Sequence, residues 1–279
     1  MHFQNPHHPQ AISFVSLIKS VISHRQLIVQ MIKREVVGRY KGSIFGLAWS
    51  FLNPIFMLTI YTFVFSVVFK ARWGDGGSDS KTQFALLVFV GMIVQGFFTE
   101  AVNRAPGLVL GNANYVKKVV FPLEILPIIS LGAALFHAAV SLCVMVCAFV
   151  AINHYLNWTI IFIPFVFAPL LIFTLGITWV LASLGVFMRD VGQTISILTT
   201  VLIFMSPVFY PVSALPPRFQ TLMIFNPLTF IIEQSRAVLI DGKTPNWIGL
   251  GTYTFVALLV MWLGYAWFQK MRKGFADVL

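Results

Sequence analysis

Residues 125–188 read ILPIISLGAALFHAAVSLCVMVCAFVAINHYLNWTIIFIPFVFAPLLIFTLGITWVLASLGVFM, 64 residues without one Asp, Glu, Lys or Arg. A helix crosses the hydrocarbon core of a bilayer with about 20 apolar residues, so this stretch is long enough for two spans. It breaks at Asn153-His154-Tyr155-Leu156-Asn157-Trp158, a polar and aromatic hairpin suited to a membrane–water interface.

Outward from this stretch, charge keeps punctuating apolar sequence. Uncharged gaps of 28, 18, 27 and 26 residues follow Lys41, Lys81, Asp190 and Lys243. Together they predict six helices, at about 44–69, 82–100, 126–152, 159–187, 191–212 and 247–268. The composition agrees: only 10% of residues are charged and 58% are hydrophobic, against about 25% and 45–50% in soluble domains. A water-soluble globule is excluded, and 28 Phe exclude a disordered chain. β-barrel spans are shorter and alternate apolar with polar residues, which these do not. The predicted fold is an all-α polytopic membrane protein with three parts: residues 1–43, a six-span domain at 44–269, and a tail at 270–279.

With six spans both termini share a side, and 13 of the 19 Lys and Arg fall there: Lys19, Arg25, Lys33, Arg34, Arg39 and Lys41, then Arg104, Lys117 and Lys118, Arg189, and Lys270, Arg272 and Lys273. The positive-inside rule makes that side cytoplasmic. The net charge of +10 then divides as +8 inside and +2 outside, which accounts for the basic balance by topology and anionic lipid rather than nucleic acid. The first 43 residues lack an apolar core with a cleavage site, so no signal peptide is expected. They read as amphipathic helix, with Phe14, Leu17, Ile18, Val21 and Ile22, then Ile28, Ile32 and Val36, at helical spacing. Such a helix is expected to lie in the membrane plane, as an anchor or as a docking helix for a partner.

Chemistry-bearing motifs are sparse. Gly242-Lys243-Thr244 resembles the end of a phosphate loop, but Ala237 stands where a Gly is needed and Pro245 follows. The chain is therefore not expected to hydrolyse ATP. No metal or catalytic constellation is expected among the six His. Cys143 and Cys147 read as packing residues, and the Asn157 sequon lies too close to the membrane edge to be used. The spans carry no evident relay of acids, bases and His, which argues against an ion-coupled carrier. A membrane enzyme acting on lipid-linked sugars would want clustered charge, and Arg189-Asp190 reads better as a turn.

Four groups of residues stand out. Gly42, Gly46 and Ser50 recur every four positions, a stripe that permits close helix approach within one chain or between two copies. Span one is dense in aromatics, and Trp49, Phe56, Tyr61 and Phe65 are candidates to line a sugar path or to face lipid. On the outer side, residues 213–245 are apolar but interrupted. They predict two short re-entrant or interfacial helices broken at Asn226-Pro227, a candidate gate carrying Arg218, Asn226, Glu233 and Arg236. The cytoplasmic 101–124 loop holds a possible short helix at 101–110 that could carry force from a partner.

The run QLIVQMIKREVVGRYKGSIFGLAWSFLNPIFMLTIYTFVFSVVF at 26–69 resembles the start of polysaccharide-exporting ABC transporter permeases, most of all the O-antigen exporters of Gram-negative bacteria, with capsule and teichoic-acid exporters related. NANYVKKVVFPLEILP (112–127), FMRDVGQ (187–193), SPVFYPVSALP (206–216) and NPLTFIIEQSRAVLIDG (226–242) resemble the same family in the same order. The resemblance implies a homodimer in the bacterial inner membrane with two copies of a separate ATP-binding cassette subunit, which would hold the ATP and Mg. It implies that the helix at about 22–41 and the loop at 101–118 dock on that subunit, which makes Arg34, Arg39, Arg104, Asn112 and Asn114 coupling candidates. It implies gate helices at 219–240 and a glycan linked to undecaprenyl diphosphate as substrate.

Overall fold

The structure is a computed structural model that describes residues 13–68, 81–117 and 121–279. The described residues fold as helices and turns: α1 Phe14–Ser23, α2 Arg25–Tyr40, α3 Trp49–Tyr61, α4 Lys81–Arg104, α5 Ala113–Lys117, α6 Ile125–Asn153, α7 Ile163–Phe187, α8 Val191–Met205, α9 Pro217–Met223, α10 Pro227–Leu239, α11 Trp247–Met271 and α12 Phe275–Val278. Five segments among them are long and apolar enough to cross a membrane: Gly46–Val64, Gln83–Gly107, Ile125–Asn153, Trp158–Phe187 and Trp247–Val278. The 191–212 expectation is cut short, since α8 ends at Met205. Pro207 and Pro211 lack the N–H that a continuing helix needs, and the Asn226 amide instead donates to Met205 O at 3.0 Å.

α4 is the central helix. The apolar stretch of Gln83–Gly107 is 78% buried, whereas that of Gly46–Val64 is 11% buried. α3 therefore hangs at the edge, with Phe51, Ile55, Phe56, Met57 and Ile60 exposed. Cys143 and Cys147 face outward from α6 and are exposed rather than packed inside the chain. Among described residues α7 and α11 form the most extensive helix pair. They cross at Gly176 and Gly264, where a Cβ on Gly176 would sit 2.6 Å from Val260 O. Beside the crossing, Trp179 and Tyr265 are buried edge to face, 5.3 Å apart.

Side-chain bonds sort the turns into two ends. At one end Glu124, 1% exposed, accepts from Ser20 Oγ of α1 at 3.0 Å and from Arg272 at 2.9 Å, while Trp179 Nε1 donates to its carbonyl at 3.0 Å. Phe187 and Phe275 meet there too. At the other end Asn157 donates to the Leu239 and Ile240 carbonyls, Thr159 to that of Val238, and Tyr253 to that of Pro227. Asn157 is thus a bridge between turns.

α2 packs along α6. Its apolar ridge is the predicted one: Ile28 packs on Ile125 and Ile129, and Ile32 lies against Gly132. Further along, Arg39 and Tyr40 both reach His137. Contacts that advance together on both helices mean that α2 follows α6 for about 18 Å, at 1.5 Å per residue, rather than crossing it at one level. The ridge faces another helix, so it has no need of lipid. On α1, Leu17 is buried but Ile18 and Ile22 are exposed.

Candidate functional site

At the end where Glu124 lies, α2, the end of α4 and the start of α6 enclose a cavity of about 520 Å³. Its walls carry Arg34 and Glu35 from α2, Asn103 and Arg104 from α4, and Asn112 from the turn beyond. Sequence reasoning placed Arg34, Arg104 and Asn112 on one coupling surface, and the fold brings all three to this cavity. Asn114 sits on α5 outside its walls, and Arg39 turns away toward Glu100. The predicted helix at 101–110 does not form. α4 runs to Arg104, Pro106 ends it, and the chain continues as tight turns at Ala105–Gly107 and Leu110–Asn112. Asn112 Nδ2 donates to Leu108 O at 2.8 Å and holds this turn shape.

Beside the cavity lies a charge network that sequence reasoning missed. Arg104 pairs with Glu35, and Arg39 pairs with Glu100. His137 Nδ1 of α6 lies 2.9 and 3.1 Å from the two Glu100 oxygens. Burial pushes the Glu35 carboxyl up, and the Arg104 guanidinium beside it pulls it part of the way back. No relay of acids, bases and His is evident from the sequence, whereas the fold brings Glu100 and Arg104, within the apolar segment Gln83–Gly107, together with His137 in the middle of α6. Reading spans as gaps between charges puts every charge at a span end by construction, whereas α4 continues one turn past Glu100. The overlooked signal was two acid–base pairs at i,i+4, Glu35/Arg39 and Glu100/Arg104.

At the opposite end two of the four gate candidates converge. Asn226 caps α10 by accepting from Leu228 N, and its amide reaches Met205 O and Ser206 Oγ. Arg236, 5% exposed, donates to Leu87 O, Pro207 O and Val208 O at 2.7–2.9 Å. Arg218 and Glu233 stand exposed on α9 and α10. The predicted break at Asn226-Pro227 is present, between α9 and α10.

The other two groups are not gathered as expected. Gly42 and Gly46 precede α3 with φ of +89° and +50°, so they make turns that favour glycine instead of a helical stripe. Ser50 is buried and donates to Leu47 O. Of the aromatics, Phe56 is exposed while Tyr61 packs against the core, and Trp49 meets Phe45 edge to face. The side chain of Phe65 lies outside the described residues.

The described residues form a bundle of long apolar helices of membrane-spanning length, and the chain belongs to the ABC-2 type transporter family, whose model matches residues 26–240. The chain is 27% identical over 265 residues to the O-antigen export system permease protein RfbA of Myxococcus xanthus, covering 94% of this chain and 99% of that one. It is 25% identical to the protein of the same name from Klebsiella pneumoniae, covering 91% and 95%. It is 22% identical to the polysialic acid transport protein KpsM of Escherichia coli, covering 86% and 92%.

Proposed function

We propose that this chain is the permease subunit of an ATP-driven exporter of polysaccharide linked to a polyprenyl diphosphate, with a separate ATP-binding cassette subunit supplying the energy. The observation that carries this reading is the convergence of Arg34, Arg104 and Asn112 on one cavity, in a family member that aligns almost end to end with O-antigen permeases. O-antigen is preferred to capsule glycan because the capsule-side relatives are more distant, at 22% for KpsM. In this reading both termini and the cavity are cytoplasmic. α8 is a sixth crossing: it starts just after Arg189 at the cavity end and finishes at the Arg236 end. α9 and α10 form the outer gate, and a second copy covers the exposed apolar face of α3, with Phe56 among the residues along the glycan path.

The test is reconstitution of the chain with an ATP-binding cassette subunit in vesicles, reading ATP-dependent movement of a polyprenyl-diphosphate-linked glycan. Movement that persists without ATP, or a chain that recovers no ATP-binding subunit, overturns the reading. Arg34 is exposed, so Arg34→Glu is expected to leave the chain's abundance unchanged while lowering recovery of the ATP-binding subunit in pull-down at least fivefold.

A further inference from the structure

The apolar contact between α2 and α6 only partly defines where along its axis α2 sits. Its ridge is Ile28, Ile32 and Val36, three β-branched residues at intervals of four. A slip of one turn, about 5.4 Å, would put Ile32 where Ile28 packs and Val36 where Ile32 packs. Two of the three sites would be refilled by a side chain of similar shape, with Tyr40 arriving at the third, so the apolar face alone opposes the slip only in part.

The charged face opposes it in both directions. Along α2 the order is Glu35 then Arg39, along α4 it is Glu100 then Arg104, and the pairs are crossed: Glu35 with Arg104 and Arg39 with Glu100. Sliding α2 one turn one way sets Arg39 against Arg104 and carries Glu35 to Leu108. Sliding it the other way sets Glu35 against Glu100 and carries Arg39 to Gly96. Either slip breaks both pairs and creates a like-charge contact, in surroundings where the Glu100 and Glu35 side chains are only 19% and 22% exposed. Partial burial weakens screening and makes the wrong register costly. Glu100 is also held by His137 of α6 and approached at 3.8 Å by Arg104 of its own helix, so the register of α2 is fixed on two spans at once.

We propose that Glu35, Arg39, Glu100 and Arg104, with His137, form a register lock that makes α2, α4 and α6 move as one body, so that force received by α2 reaches the spans instead of being lost as slip. These are positioning residues. The proposal rests on the exporter reading, in which α2 receives that force.

The decisive variant is Glu35→Arg/Arg104→Glu. It places two bases on α2 and two acids on α4, and it leaves Glu100 against His137. Both ion pairs survive in the native register, but either slip now brings unlike charges together, so pairing is retained while the register preference set by charge is lost. Reconstituted with the ATP-binding subunit, this variant is expected to consume at least fivefold more ATP per glycan exported than wild type. Inverting all four charges together with His137→Glu, which gives the base at position 100 an acid on α6 in place of the imidazole, restores the crossed order and is expected to bring the ratio back to within twofold. A wild-type ratio in the double variant overturns the lock, as does a quintuple variant that assembles yet stays as uncoupled as the double. Should the double variant fail to accumulate, Glu100→Gln, which removes the penalty for one slip only, is read in the same way: a raised ratio supports the lock and a wild-type ratio overturns it. A wild-type complex that exports without ATP overturns the exporter reading itself, and is told apart because it is seen before any variant is made.

Discussion

Gly264→Val is expected to remove most of the folded chain from detergent extracts, whereas Gly251→Val on the same helix leaves it at wild-type level. A Cβ on Gly264 would meet the carbonyl oxygen of Gly176, with the Gly176 C and Cα atoms 2.8 and 2.9 Å away. A clash with a side chain is relieved by a rotamer change, but here the obstacle is helix backbone, and relief requires α7 and α11 to move apart. Between membrane helices association depends on close packing rather than on removal of apolar surface from water, so separation forfeits contact along the whole pair. Overpacking a core that can adjust costs about 1–3 kcal/mol. Against backbone the cost falls at the upper end, about 3 kcal/mol, or roughly a hundredfold in the folded ratio. Gly251 has nothing within 4 Å of its Cβ position. The measurement is the monodisperse yield on size exclusion, and equal yields for the two variants would disprove the crossing.

That contact shows where the sequence is informative. Small residues at regular spacing were visible at Gly42, Gly46 and Ser50, yet two of them make left-handed turns, and the close crossing lies at Gly176 and Gly264. Spacing says that a helix face is small and does not say what approaches it. The span helices were legible because a run of apolar residues fixes length and type together, and α6 and α11 start within one residue of expectation. The break at Asn226-Pro227 was legible because capping by Asn and the missing N–H of Pro are local chemistry. Partnerships between distant segments were not legible. Nothing local to Glu100 announces His137, 37 positions away, or Arg39, 61 positions away. Of the coupling candidates, Arg34, Arg104 and Asn112 came together, whereas Arg39 was claimed by the partner that sequence reasoning had not considered.

Arg236→Met is expected to lower the thermal midpoint of the purified chain by about 6–12 °C, and Arg236→Lys to recover less than half of that loss. The guanidinium spends three directions at once, donating Nε to Leu87 O at 2.9 Å, Nη1 to Pro207 O at 2.7 Å and Nη2 to Val208 O at 2.8 Å. Leu87 lies inside α4, so its carbonyl keeps a helical donor when the side chain is shortened. Pro207 and Val208 lie in irregular chain between α8 and α9 and are buried, so their carbonyls have no helical neighbour to turn to. Leaving a buried acceptor unsatisfied costs about 1–3 kcal/mol, which puts the two at about 2–6 kcal/mol. Removing a buried cation relieves desolvation and offsets part of this, so a net loss of about 3 kcal/mol remains, which for a chain of this size is the stated shift. Lys keeps the charge but donates from a single point, and it cannot match a planar fork whose acceptors lie on two separate elements. The comparison of the two variants therefore separates charge from geometry. A Lys variant as stable as wild type would mean that the cation alone holds α10 in place. A Met variant as stable as wild type would mean that the fork pins nothing, and that α10 is held by its apolar contacts with α4 and α7.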